Sequence, residues 1–565
     1  MLSLSQRRRL TQLSRKVILL VILLLCIFSC SSIRVHLANM LRQPANVGAY
    51  EGGAIDDVKL IRCYRWYIGC DTVFERTDRH SPIKLWLRVK KDLNNDKLFA
   101  IDWHFLYHTF LYVHPAKPAF EHGCVSDLVI TNDRSVVPVQ VLRDVNDRLR
   151  SSDSSMFHKH DHQVDCWSKM FGATSENLIV RGEDWHYKGS GVWCKYSPAR
   201  SDKDSELITN IQIFVANEFV DPRPSWKSAV AGLLRKEGLP LFISYQKINP
   251  NKMPFKYADY GNLFTRENEF KILQLSDLHF VGSSYQCGVK SSLEDLKTAQ
   301  FVRFVLKKEA PDLVIFTGDL IEGSSTLDYQ AAIMKALGEV ILAGVPWILS
   351  WGQSDYSRFA SKSQILDFVK ELPFGLVKMN KRVAQYAAAN TTTNALTLNN
   401  EKGLVGVIYV LDSTSAENPV DFMEAAHEQI TGNFYGEPLY SLIFQHSPIP
   451  EYRPSGAFPI IGSFNEKELL DVAQFGIGGA MRRLGVQALS CGREHGNDCC
   501  LYDRSVWLCY GGQTGVAGYS LSESENSIVR LFRIDHNIRE ITTWKRSSGM
   551  PDEVYDYQFL FKNAD

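Results

Sequence analysis

The sequence predicts an α/β fold for the C-terminal half of the chain, preceded by a β-rich N-terminal domain and a hydrophobic helix. Three observations carry this reading. From Phe270 onward, short apolar runs alternate with longer amphipathic ones: KILQLSDLHF, LEDLKTAQFVRFVLKKEA, PDLVIFTGDLI, YQAAIMKALGEVILAG and VPWILSWG. The short runs read as buried strands and the longer ones as helices that cover them. Upstream, alternating stretches such as LWLRV at 85–89 and NIQIFVANEFV at 210–220 sit among turn residues, the pattern of half-buried strands. At the start, residues 17–33 carry no charge and are apolar throughout their centre, VILLVILLLCIF.

Arg7, Arg8, Arg9, Arg15 and Lys16 precede that apolar run, so residues 1–16 read as a basic cytosolic tail. Residues 17–33 fit either a signal anchor, at the short end of what spans a bilayer, or a cleavable signal peptide with Ser29 and Ser31 near the cut. In both cases the body is expected in the lumen or outside the cell, in vacuole, ER or at the cell surface. The sequon Asn390-Thr391-Thr392 is compatible with that topology.

At 565 residues the chain is long enough for several folded units, and its 45% apolar content is that of a globular protein, not of a disordered or multi-span membrane chain. Sixty-three basic residues balance 63 acidic ones, which removes any global electrostatic case for nucleic acid as partner. Among the cysteines, Cys63 with Cys70 and Cys166 with Cys194 are the first pairs to expect if the body is oxidised, with buried thiols as the alternative.

The β-rich domain is placed at 50–255. Within it, His158, His160 and His162 with Cys166 could hold a metal, or form a solvated loop, since no regular element fixes them. DPRPSW at 221–226 reads as a rigid turn, followed by a short helix over SAVAGLLRKEG. The second domain is placed at 265–550, with AAANTTTNALTLNN at 387–400 as a loop insertion.

Chemistry concentrates at the predicted strand ends of this second domain. Asp277-Leu278-His279 follows KILQLS, and Gly318-Asp319 follows LVIFT. An Asp-x-His unit can direct both side chains to one ion, and an Asp from the next strand has two oxygens with which to bridge two ions. Oxygen and nitrogen donors suit Mn, Fe or Zn. Farther on, YSLIFQ ends in His446, and VQALS leads into Cys491-Gly492-Arg493-Glu494-His495.

In this order the motifs resemble the calcineurin-like metallophosphoesterase superfamily, which includes the purple acid phosphatases. HSPIPEY, GNDCC, LCYGGQTGVAGYS and ITTWKR are similar to its fungal membrane-associated branch, near the dosage-dependent cell-cycle-regulator phosphatase. The resemblance implies a two-sheet β-sandwich flanked by helices, and a centre in which divalent ions bind a phosphoester and activate water. It implies Asp277, His279, Asp319 and His495 for the first ion, and Asp319, Gln353, His446 and position 493 for the second.

Three family residues are replaced. Gln353 stands for an Asn ligand, Ser354 for the catalytic His beside the leaving group, and Arg493 for a His ligand. A guanidinium has no lone pair to give a metal, so one ion is expected and a second is in question. Arg493 is expected to substitute a charge, pairing with Asp319 or Asp355, and to grip a phosphoryl group. Three functions follow: a low-activity or non-catalytic regulator at a membrane that binds a phosphoester or phosphoprotein; an active phosphomonoesterase or protein phosphatase with a rewritten second site; or an interaction module in the N-terminal domain.

Overall fold

The computed structural model describes residues 18–19, stretches between 54 and 248, and 262–562 apart from 282–287, 379–382, 389, 433–438, 469–475 and 517–525. Of the hydrophobic segment only Ile18 and Leu19 are described, helical and exposed. Among the described residues no helix is long and apolar enough to cross a membrane. The His158–His162 stretch and Cys166 lie outside the described residues. Residues 53–565 form one compact unit.

Two sheets organise the C-terminal half. One runs Trp347–Ser350, Leu313–Thr317, Glu269–Leu275, Ile528–Asp535, Glu540–Ser547, Met550–Lys562 in space, its first three strands parallel. The other has eight strands, with Gly403–Val410, Tyr440–Gln445, Ala488–Cys491 and Val506–Tyr510 parallel at its centre. Period-two burial explains how they stack. Phe270 and Ile272, with Leu313 and Ile315, face inward to meet Leu396, Ile408, Leu442 and Phe444 of the other sheet. Leu273, Leu275, Val314 and Phe316 point the opposite way, onto the helices Gly288–Glu309, Tyr329–Ala343 and Lys362–Lys370. The eight-stranded sheet is covered likewise by Pro419–Thr431 and Ile477–Leu484. The expected helix-flanked sandwich is present, and its central strands are buried on both faces because they are apolar on both.

Tyr329–Ala343 begins where Asp328 caps it, accepting from the backbone N–H of Gln330 and Ala331, and ends on left-handed Gly344. The same Asp328 carboxylate takes Lys91 Nζ at 2.6 Å and the Val215 N–H at 2.8 Å. Phe214, Ala216 and Phe219 also join the core over this helix, so the β-rich part shares packing with the sandwich. DPRPSW is rigid because Arg223 is clamped: two bonds to Asp221, one to Gln212, and its guanidinium 3.4 Å over the Trp226 ring.

Three readings are corrected here. The helix expected after DPRPSW is absent among the described residues: Trp226–Ser228 and Arg235–Lys236 are short strands pairing with Leu239–Ile248. The 387–400 insertion contains a strand, Asn394–Asn400, in which Ala395, Leu396 and Leu398 are buried between neighbours in the eight-stranded sheet. Its Asn and Thr residues resembled a turn, but pairing with Gly403–Val410 and burial of Asn394–Leu398 outweigh that. Cys63–Cys70 is a disulfide, whereas Cys194 is a buried thiol, and an unforeseen disulfide joins Cys500 to Cys509 across adjacent strands.

Glu309, at the end of its helix, ties that helix to the sheet through Arg546, Lys271 and Trp544. Burial alone would raise its carboxyl, but the Arg546 hydrogen bond and the two cations carry it below the usual range. A depressed folded pKa stabilises the protein above the unfolded value and is lost as pH falls through the folded one. Glu309→Gln is therefore expected to flatten the acid limb of a urea-midpoint-versus-pH curve below about pH 5, a limb set partly by carboxylates of unfolded pKa about 4.3. An unchanged limb would contradict the assignment.

Candidate metal centre

Five strands deliver the site at one end of the two sheets. The backbone makes it by turning sharply just past the strands: Asp277, His279, Gly318, Asp319 and Arg493 have φ of 53°, 50°, 87°, 51° and 69°. Asp and His tolerate this left-handed region better than most residues. The loops are stitched to each other, with Asp277 N–H donating to Gly318 O, His279 N–H to Asp319 O, and Gly515 N–H to Asp277 O. Gly318 is needed twice over: its φ is positive, and a Cβ there would lie 2.4 Å from His446 Nδ1.

The structure brings together Asp277, His279, Asp319, His446 and His495, all buried. His279 Nε2 and His495 Nε2 lie 3.2 Å apart, with Asp319 Oδ2 3.6 Å from the first and Asp277 Oδ1 3.8 Å from the second. Donors bound to one ion at about 2.0–2.2 Å stand about 3–3.5 Å apart, so this spacing fits a divalent ion. His279 Nδ1 donates to Glu322 Oε2 at 3.2 Å, which directs Nε2 toward the cluster. Glu322 was not foreseen, although it lies three residues after Asp319 on the same loop. Glu322→Gln is expected to weaken metal affinity 10- to 100-fold with the fold intact, measured by titration against a chelating dye.

His446 offers one further buried nitrogen beside Asp319. Its Nδ1 lies 2.9 Å from Thr317 O, a carbonyl that only accepts, so Nδ1 holds the proton. Nε2 is then a lone pair, wholly buried, without a hydrogen-bond partner, 3.5 Å from Asp319 Oδ1. Burial lowers the His446 pKa in spite of Asp319. A neutral nitrogen facing a carboxylate oxygen requires positive charge between or beside them. Burial and the neighbouring Asp319 charge push Asp277 up. Asp319 is held low, since His446, His279 and the Ser354 hydrogen bonds outweigh its burial.

The rewritten positions behave differently. Gln353 is exposed, at the rim and not among the buried donors. Ser354 donates its N–H to Asp319 Oδ1 at 2.7 Å and its hydroxyl to Asp319 Oδ2 at 3.1 Å. Of the carboxylates expected beside Arg493, Asp319 has His279 and His446 as ionic neighbours, and Asp355 is held by the N–H groups of Gly352 and Ile321. Half-buried Arg493 meets Asp277 through its backbone N–H, 3.0 Å from both oxygens, and its charge lies close enough to His446 to depress that pKa further.

Sequence comparison agrees with this geometry. Residues 270–465 match the calcineurin-like phosphoesterase family. The chain is 30% identical to Protein SIA1 of Kluyveromyces lactis over 99% of both chains. It is also 30% identical to Phosphatase DCR2 of Saccharomyces cerevisiae, over 62% of this chain and 66% of that one. Probable inactive purple acid phosphatase 28 of Arabidopsis thaliana is 28% identical over 58% of this chain and 91% of its own. The chain belongs to the calcineurin-like phosphoesterase family.

Proposed function

We propose that the protein binds one divalent ion and a phosphoester or phosphoprotein ligand, turns that ligand over slowly or not at all, and acts as a regulator at a secretory-pathway or cell-surface membrane. The observation that carries this is the fate of Ser354. Where the family places a histidine beside the leaving group, this chain has a hydroxyl and an N–H both spent on Asp319. No proton donor replaces the histidine at that position.

Asp277, His279, Asp319 and His495 would hold the ion, which when bound supplies a Lewis acid for the phosphoester oxygen. Glu322 orients His279, and Arg493, whose charge reaches His446, would add positive charge for the phosphoryl group. The hydrophobic segment at 17–33 would place the body at the membrane. The kinship with proteins named as probable inactive phosphatases supports low turnover. A second reading, an active phosphatase, draws on His446: one second-site nitrogen is still delivered as a buried lone pair.

The test is hydrolysis of p-nitrophenyl phosphate by the purified chain, with Mn or Zn added and Asp319→Ala as the blank. Turnover at or barely above the blank is expected. Robust turnover that Asp319→Ala abolishes would replace this reading with the active-phosphatase one.

A further inference from the structure

We propose that Asn390 carries an N-linked oligosaccharide, standing at the end of the sandwich that holds the metal centre. Asn390-Thr391-Thr392 is the single Asn-x-Ser/Thr sequon of the 565 residues. In the fold Asn390 is an exposed turn residue, so a bulky modification has solvent to occupy. The two residues after it point the other way. Thr391 Oγ1 donates to Asp412 Oδ2 at 3.3 Å, and Thr392 Oγ1 accepts the Trp351 N–H at 3.0 Å, both threonines being buried. A folded chain therefore hides the hydroxyl that defines the sequon while leaving its asparagine outside. That arrangement is consistent with modification during synthesis, before the sheet closes over Thr392.

Two independent features place the chain where such chemistry occurs. The basic-then-apolar N-terminus directs the body across a membrane. The disulfides Cys63–Cys70 and Cys500–Cys509 belong to an oxidising compartment. There the Asn390 amide nitrogen displaces the lipid diphosphate from the anomeric carbon of a lipid-diphosphate-linked oligosaccharide. One C–N bond forms, the C–O bond to the diphosphate breaks, and the amide gives up one proton.

Strand order fixes the position. Asn394 pairs with Val410, and Val410 with Phe444, two residues before His446. The start of the Asn394 strand thus lies at the same sheet end as His446, two strand spacings or about 10 Å to the side. Thr392 is bonded to Trp351, the residue that opens the Gly352–Asp355 segment. A glycan on Asn390 would flank the approach to the metal centre.

The test is expression of the full chain in a yeast, followed by endoglycosidase H. One discrete downward mobility step is expected for the wild type and none for Asn390→Gln, which leaves both buried threonines in place. In parallel, wild-type protein is released with peptide N-glycosidase F in heavy-oxygen water. Mass spectrometry should find Asn390 deamidated with one heavy oxygen, a readout that needs no variant. Absence of the mobility step in wild type, its persistence in Asn390→Gln, or an unlabelled Asn390 would each overturn the proposal.

Discussion

Returning the three departed positions to the family's residues, Gln353→Asn with Ser354→His and Arg493→His, is expected to raise phosphomonoester turnover by about 10²- to 10⁴-fold, the contribution typical of a positioned general acid. The backbone is ready for it. Position 493 sits at φ 69°, a conformation histidine tolerates, and its N–H already fixes the Asp277 carboxylate. His446 already presents a buried lone pair beside Asp319. Asn at 353 and a neutral nitrogen at 493 are the family's second-ion donors, and a ring at 354 would restore the proton donor beside the leaving group. The gain should be read as kcat on p-nitrophenyl phosphate, with Asp319→Ala in the same background as the blank. If the triple variant folds, binds metal and gains nothing, these positions do not limit catalysis.

The second large effect concerns a pair that the sequence did not single out. Arg453, from the PEYRP segment, forks onto Glu494, with Nη2 2.9 Å from both carboxylate oxygens, and Glu494 lies buried between Arg493 and His495. The guanidinium is satisfied on its other sides by the carbonyls of Glu466, Lys467 and Glu468, by Tyr510 OH, and by the Phe464 ring at 4.9 Å. Asn497 then links Glu494 to the same 465–466 backbone. Removing one partner leaves a charge buried and unpaired, so Arg453→Met is expected to cost about 3 kcal/mol, the low end for breaking such a pair because Arg453 is partly exposed. The double variant Arg453→Met/Glu494→Gln should recover much of that in a urea-denaturation cycle. Additive losses would mean that the two side chains are not coupled.

The grouping of the candidate ligands was legible because they are punctuated by strands. A continuous apolar run that stops at Asp277, Asp319 or His446 announces both the strand and the residue at its end, and the structure gathers their ligand atoms within 4.8 Å of one another. What the pattern could not show depends on long-range contact. Glu322 matters only because the Asp319 loop folds against His279, and Arg453 only because it lies beside a loop some 40 residues later. The Asn394–Asn400 strand was hidden by its polar composition, since half of its identity as a strand comes from Gly403–Val410 beside it. Cys500 and Cys509 are brought together by the register of two short strands that no cysteine spacing reveals.

The carboxylates expected beside Arg493 have other neighbours that its place in the sequence does not show: histidines for Asp319 and backbone N–H groups for Asp355. Arg493 supplies positive charge near His446.

The most direct test is the number of metal ions per chain. The purified protein, loaded with Mn or Zn, desalted and measured by inductively coupled plasma mass spectrometry, should hold one tightly bound ion, and Asp319→Ala should hold none. Two ions per wild-type chain, both lost with Asp319, would show that the rewritten second site still binds metal and would contradict the one-ion account.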